Sequence, residues 1–345
     1  MLFGSRTKVT GLDIGSTSVK AATLRHGADG ATLVGLALAE IQPSEDREKA
    51  VADAVKLALE KGGAAKTSPV VTAVAGPGVS VKHVTFPEMP RQALAESIRW
   101  EARKHVPFEG SDFVLDFQPL EGANGGEGNG ELQVLLAAVE TRLLDEHVGL
   151  LGSVGVEPDA VDIAPLALMN ELDEEGLLNG EALAAIDLGV QAITVAVYRR
   201  GGLFFARSIP LVAASGGRTK RGEGDEDDQG DQREPTAARA GEGETKRATS
   251  PARSDDSWMK IMLRELRRSL TFYNNETGKQ GIDRIYLTGG RALTPGIDRR
   301  LQSDLGVATE ILNPLANLTD VGVNLETLDE QGPRFALALG LARRQ

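Results

Sequence analysis

Hydrophobic positions along this chain come in short dense runs separated by polar turns, with longer stretches of helical period between them. Apolar and β-branched runs at 8–14, 19–24 and 32–41, with the turn His26 to Gly30 between the last two, predict a strand meander feeding a helix at about 45–61. The same order returns at 183–188, 193–199 and 203–209, where Arg199-Arg200-Gly201-Gly202 supplies the tight turn. Between the two copies lies a different unit. Pro87 and Pro90 precede a helix at 93–106, on which Leu94, Ile98 and Ala102 share one face, and Pro107 closes it. A strand at Phe113–Phe117, a glycine-rich loop at 122–130, a strand at Leu132–Val139 and a helix at Thr141–Gly152 complete a small α+β subdomain inserted into the first half.

Farther along, Trp258, Met262, Leu266, Leu270 and Tyr273 form an apolar stripe at helical spacing, with Lys260, Arg264, Arg267 and Arg268 on the same helix. Such a helix either lies on a membrane or packs in a core. The core reading is favoured, because the strand Arg284–Thr288 follows at once and needs a packing partner. Another helix is predicted near Thr294–Leu305. From Ala213 to Ser257 there is no Val, Leu, Ile, Met, Phe, Tyr or Trp. Ordering a backbone costs about 1–2 kcal/mol per residue, and this stretch has no apolar area to offset it, so 216–256 is expected to be a disordered charged tether. Its charges, including Asp225 to Asp228 and Lys246-Arg247, read first as solvation, with docking as the alternative.

The two strand meanders carry one motif twice: GLDIGSTSVKAATL at 11–24 and AIDLGVQAITVAVY at 185–198. In each, a strand delivers an aspartate, then a residue and a glycine, and the next apolar run starts six residues after the aspartate. Two halves built alike are the simplest account. In the first loop Asp13, Gly15, Ser16, Thr17 and Ser18 place small hydroxyls and amides after a strand, with Lys20 near enough to add charge; this reads as a phosphate loop or as an ordinary hairpin turn. In the second, Asp187 and Gly189 are followed by Val190, Gln191 and Ala192, and Asp187 either holds a hydrated cation or caps a strand. Asp13 and Asp187 facing each other would suit one hydrated divalent metal ion. Third, Leu287-Thr288-Gly289-Gly290-Arg291 runs a strand into paired glycines, either a shelf for a flat purine or a strand-to-helix turn. A P-loop is not supported, since Gly62-Gly63-Ala64-Ala65-Lys66-Thr67 lacks the glycine before its lysine. No Ser-His-Asp arrangement and no general base for phosphoryl transfer stand out, so no catalytic residue is assigned, and turnover is at most slow.

Composition narrows the picture. The chain has 345 residues, no cysteine and four histidines, so disulfides and thiolate metal sites are excluded and a catalytic zinc is disfavoured. A net charge of -12 disfavours nucleic acid or an anionic bilayer as a bulk partner. The start, MLFGSRTKVTGLDIG, is too short and polar for a signal-peptide core, and no run approaches the ~20 apolar residues of a membrane span. A cytoplasmic protein is expected.

With these residues in view, the chain resembles the PilM family of type IV pilus assembly, relatives of FtsA in the actin and Hsp70 superfamily. The stretches that carry the likeness are FGSRTKVTGLDIGSTSVK, VTFPEMPRQALAESIRWEARKHVPF with VLDFQPL, and IYLTGGRALTPGIDRRLQSDLGV, the middle one being the most specific. The resemblance implies an α/β, bilobed actin-like fold with ribonuclease H-like duplicated lobes. Its first lobe would comprise 1–83, 162–182 and 331–345, the α+β insert 84–161, and the second lobe 183–215 and 257–330. It also implies ATP and Mg2+ in the cleft: Asp13, Gly15, Ser16, Thr17 and Lys20 as first phosphate loop, Asp187 and Gly189 as second, and Gly289, Gly290 and Arg291 at the adenosine. The family further implies capture of the N-terminal segment of an inner-membrane PilN-like protein beside the insert, and through it a link to PilO, PilP and the pilus motor. The polar tether after Ser215-Gly216-Gly217-Arg218 replaces a helical subdomain over the adenine, so nucleotide is expected to bind weakly or not at all. The chain stops at Gln345 without an FtsA-like amphipathic tail, so membrane contact is expected only through a partner. A small-molecule kinase of the same superfamily is the alternative; it needs an acceptor-facing aspartate and a longer second lobe, and neither is evident. A filament former is disfavoured by the same missing lobe and tail.

Overall fold

A computed structural model describes residues 8–28, 30–65, 68–108, 110–120, 130–180, 182–199, 202–211, 255–276, 281–316, 318 and 329–344. The chain opens with β1 (Lys8–Ile14), β2 (Ser18–Gly27), β3 (Gly30–Glu40), α1 (Arg47–Lys61) and β4 (Val70–Val74). A second unit follows: β5 (Val79–Pro87), α2 (Arg91–His105), β6 (Phe113–Pro119), β7 (Glu131–Glu140) and α3 (Thr141–Ser153). Next come β8 (Ala160–Ile163), α4 (Ala164–Glu174), β9 (Leu183–Leu188), β10 (Ala192–Arg199) and β11 (Gly202–Pro210). The last elements are α5 (Asp255–Glu276), β12 (Arg284–Thr288), α6 (Ile297–Leu305), β13 (Ala308–Ile311) and α7 (Ala336–Ala342).

Two five-stranded sheets have the same topology, β3-β2-β1-β4-β8 and β11-β10-β9-β12-β13. In each, three antiparallel strands are extended by two parallel ones on the side of the aspartate-bearing strand. The duplication seen in the sequence is therefore a duplication of the fold. The register extends it to single residues: Asp13 lies opposite Lys20, and Asp187 lies opposite Thr194. β9 is a central strand covered on both faces, which explains its unbroken apolar run of Leu183, Ala184, Ala185 and Ile186. Asp187 is its one polar residue.

The remaining sheet, β5-β7-β6, carries α2 on one face through Leu94 and Ile98, which pack with Phe86, Val134 and Leu136. Among the described residues β6 is an edge strand with no further strand beside it; Val114, Asp116 and Gln118 are exposed along it. β5 meets the second lobe instead, where His83 Nε2 lies 2.7 Å from the Leu203 carbonyl.

The two lobes are welded by one apolar cluster in which Leu168 and Leu172 of α4 meet Ala185, Tyr198 and Tyr286 of the second sheet. Tyr198 is fully buried and donates its hydroxyl to the Pro165 carbonyl at 2.6 Å, which meets the hydrogen-bonding need of the phenol. α7 lies directly on β1. A side chain at Gly11 would strike the Ala338 carbonyl, and one at Gly340 the Ala167 carbonyl. Arg343 just beyond α7 pairs with Glu171 of α4 at 2.7 Å, both almost wholly buried.

α5 packs as the core helix expected from its stripe, burying Met262, Leu263, Leu266, Ser269 and Tyr273. Two boundaries differ from expectation. The tether expected over 216–256 lies outside the described residues except for its last two, which are helical in α5. α6 begins at Ile297 rather than near Thr294, because Gly290–Leu293 is a 3-10 turn and Gly296, after Pro295, takes a left-handed φ of 74°. Among the described residues no helix is long and apolar enough to cross a membrane.

Candidate functional site

The three loops singled out in the sequence meet where the strand ends of the two lobes face each other. Asp13, near the end of β1, is held by Lys20 from β2, whose Nζ lies 2.9 Å from Asp13 Oδ2. The β1–β2 register places the two side chains directly opposite. Gly15 is required for space: a Cβ there would come within 2.8 Å of Lys20 Nζ and 2.9 Å of the Ser18 carbonyl. The Gly15 N–H donates to that same carbonyl at 3.0 Å, so the turn itself consumes an amide that the sequence suggested for an anion. Ser16 and Thr17 sit at the tip, with the Ser16 carbonyl accepting from Arg47 and the Thr17 carbonyl from the Ile41 N–H. Ser18 is buried, and its hydroxyl accepts from Arg334 at 2.9 Å.

In the second lobe Asp187 accepts a hydrogen bond from the Thr288 hydroxyl at 3.2 Å. Gly189 leaves no room for a Cβ, which would lie 2.6 Å from the Ala192 carbonyl. The third loop rests on the second. Gly289 has a φ of 86°, and a Cβ on it would come within 2.5 Å of Asp187 Oδ1 and 2.8 Å of Leu188. Arg291 donates to the Val190 carbonyl at 3.2 Å and stacks its guanidinium 4.3 Å over the Trp258 ring.

Asp187 feels the charge of Asp13. Burial first, and then the negative charge of Asp13, raise the Asp187 carboxyl to about 6, with Lys20 and the Thr288 hydrogen bond partly offsetting the rise. An acidic pair short of positive charge is a fitting place for a divalent cation. Among the described residues no cluster of three or more His, Asp or Glu stands ready to strip such an ion, so a cation here would keep most of its water, as Mg2+ does.

Sequence reasoning missed the groups that lock this arrangement. The Pro333-Arg334 pair joins the loops: Arg334 donates to Ser18 Oγ and Glu40 Oε1 of the first lobe, both at 2.9 Å, while the Pro333 carbonyl accepts from the Gly289 N–H of the second at 2.8 Å. Under β1, the Thr72 hydroxyl donates to the Leu12 carbonyl at 2.9 Å, so His147 Nε2, also 2.9 Å from that hydroxyl, must carry the donated proton. Burial lowers the His147 pKa, which keeps this contact neutral. Thr288 alone had a signal, as a hydroxyl at a strand end directly before paired glycines.

Comparison with known proteins adds a family and a fold. The family model for type IV pilus assembly protein PilM matches residues 11–220 and 255–345. A solved structure of a PilM-PilN type IV pilus biogenesis complex is 24% identical, covers 98% of each chain, and superposes with a TM-score of 0.73. An actin-like ATPase-fold protein of unknown function from Bacteroides thetaiotaomicron matches at 11% identity, 95% of each chain and a TM-score of 0.46. The ethanolamine utilization protein EutJ from Carboxydothermus hydrogenoformans matches at 11% identity, with 97% of this chain and 89% of that one covered and a TM-score of 0.45. The architecture, two like five-stranded α/β lobes with an inserted three-stranded unit, is the fold of that PilM-PilN structure.

Proposed function

The chain belongs to the PilM family of type IV pilus assembly proteins, and from that premise we propose that it is an adaptor: it docks the N-terminal segment of an inner-membrane PilN-like protein and through it reaches the PilO-PilP complex and the pilus motor. The family match across both lobes carries this reading, and the matched solved structure is itself named as a complex of PilM with PilN. We place the docking surface on the insert at 84–161, between a first lobe of 1–83, 162–182 and 331–345 and a second of 183–215 and 257–330. Two features of the insert support that choice. Trp100, on the solvent side of α2, is 84% exposed, and Val114 lies on the edge strand β6. An exposed tryptophan and an edge strand are what a peptide-binding surface offers. The protein would then sit in the cytoplasm, peripheral to the inner membrane.

The cleft is read as a weak nucleotide site. Asp13 and Asp187 would hold hydrated Mg2+, Lys20 and the Ser16-Thr17 tip the phosphates, Gly189 their close approach, and Gly289, Gly290 and Arg291 the adenosine. The ion would supply charge screening for the phosphates.

Calorimetric titration with a synthetic peptide of the PilN-like N-terminal segment tests the adaptor. Saturable binding is expected, weakened by about 10-fold or more in Trp100→Ala. Absence of binding to folded protein would overturn it. For the cleft, Mg2+ and ATP should raise the melting temperature by about 1–3 °C, and Asp13→Ala should abolish the rise. A rise that survives Asp13→Ala places the nucleotide elsewhere.

A further inference from the structure

The basic side chains of α5, set aside in the sequence once the helix was read as core, line an open groove of about 730 Å³ together with Arg300 of α6. The helix satisfies both readings at once, an apolar face inward and a cationic face outward. On a chain of net charge -12 this concentration of positive charge is out of character. Its arginines outnumber the carboxylates they meet. Arg264 and Arg268 share a single oxygen of Glu265, at 3.2 and 3.1 Å. Arg267 and Arg300 both meet Asp304, at 3.6 and 2.7 Å. Lys260 makes no ion pair among the described residues. The carboxylates are the sheltered members, 14% and 25% exposed, while the four guanidiniums are all near 60% exposed. Each guanidinium has five N–H donors, so one shared carboxylate leaves most of them facing solvent.

We propose that this groove is a docking site for an extended acidic polypeptide segment, separate from the PilN-type surface on the insert. Its dimensions favour a polypeptide over a small anion. Lys260 to Asn275 spans about 22 Å along the helix, the reach of about seven extended residues. Its chemistry is mixed, since Phe272, 47% exposed and in ring contact with Phe205 at 5.7 Å, stands in the same groove and offers an apolar foothold between charges. An open, charged groove that also presents Phe272 matches carboxylates interspersed with an apolar side chain. The net charge of -12 on the whole chain disfavours an anionic bilayer.

The test is fluorescence anisotropy with a labelled octapeptide of six glutamates around a central Phe-Leu, using the full chain. Binding is expected, weakening roughly 10-fold between 50 and 200 mM salt, and weakening about 10-fold in Arg264→Ala/Arg268→Ala. Because that variant strips Glu265 of its partners, Lys260→Glu is the second: it should weaken binding about 3-fold or more with an unchanged melting curve. Glu265→Gln removes an internal competitor for the guanidiniums and should tighten binding, an outcome that a purely structural role for these arginines does not give. Equal affinity of the peptide for wild type and all three variants would overturn the proposal. So would arginine-dependent binding to phosphatidylglycerol vesicles with none to the peptide. A gain of more than ~10-fold on changing Asp225, Asp227 and Asp228 to Asn would make the chain's own acidic tract the occupant and overturn it as well.

Discussion

Replacing Asp187 with Asn probes the cleft at its most strained charge. The carboxyl has its pKa raised from 3.8 to about 6 by burial first and then by Asp13 across the cleft. A carboxyl with a higher pKa in the folded state than in the unfolded one opposes folding as it ionises. Below the unfolded value it is protonated in both states and costs nothing. Between 3.8 and about 6 only the unfolded chain releases the proton, so stability falls as pH rises; above that the loss is complete. At about 1.4 kcal/mol per pKa unit, the rise corresponds to about 3 kcal/mol at pH 8 and about half that at pH 5. Asn keeps an oxygen to accept from the Thr288 hydroxyl and carries no charge. Urea unfolding should therefore show Asp187→Asn more stable than wild type by about 2–3 kcal/mol at pH 8 and by about 1 kcal/mol at pH 5, with an unchanged denaturant slope. The same variant should lose the thermal shift given by Mg2+ and ATP. If Asn is no more stable at pH 8, or the gain is equal at both pH values, the two aspartates do not oppose each other and the shared-cleft geometry is wrong.

Lys20→Met removes the cation 2.9 Å from Asp13 and leaves two carboxylates facing; it should cost about 1–3 kcal/mol at pH 8 in thermal melts, less at pH 5, and be relieved by Asp187→Asn. Gly289→Ala must fit a Cβ 2.5 Å from Asp187 Oδ1 at a φ of 86°, so a loss of about 2–4 kcal/mol is expected in denaturant unfolding; an unchanged midpoint would mean that the third loop is not seated on the second. Glu171→Ala strands the buried Arg343 and should cost about 3–5 kcal/mol, most of it recovered in Glu171→Leu/Arg343→Met, since burial already pushes the Glu171 carboxyl up to about 7. For the same reason the wild-type pair should lose stability as pH rises from 4.5 to about 7, a trend that hydrogen exchange of α7 would report and that the double variant should lack.

What could be read from the sequence was whatever repeats locally. The offset between Asp13 and the next apolar run fixes a strand-turn-strand unit. Its recurrence at Asp187 fixes a second, and the two sheets share one strand order as a result. Lys20 was visible as a nearby charge, though its partner is Asp13 itself rather than open space for an anion. Long-range closure was invisible. Arg334 reaches Ser18 across 316 residues, and no period or motif foretells that an arginine after Gln331-Gly332-Pro333 will tie the first loop to the third. Gly15 adds a reason that the sequence did not show: a side chain there would meet the Ser18 backbone carbonyl at 2.9 Å.

Duplication set the geometry of the cleft, and divergence set its charge. Both halves bring an aspartate to the same strand position, but the residue opposite it is Lys20 in the first and Thr194 in the second. One wall is therefore neutralised at rest, and the other is left to relieve its own charge by taking up a proton near pH 6. Above that pH the two carboxylates and one lysine sum to one negative charge, which repels a polyphosphate unless a cation enters with it. In the proposed nucleotide site, binding would thus be conditional on the ion, and only these two carboxylates would hold it. The exposed Trp100 of α2 and the edge strand β6 belong to the inserted unit, which makes no use of that charge balance. An adaptor built this way keeps its partner-binding surface whether or not its cleft is filled, which is why loss of nucleotide affinity would leave the proposed docking role intact.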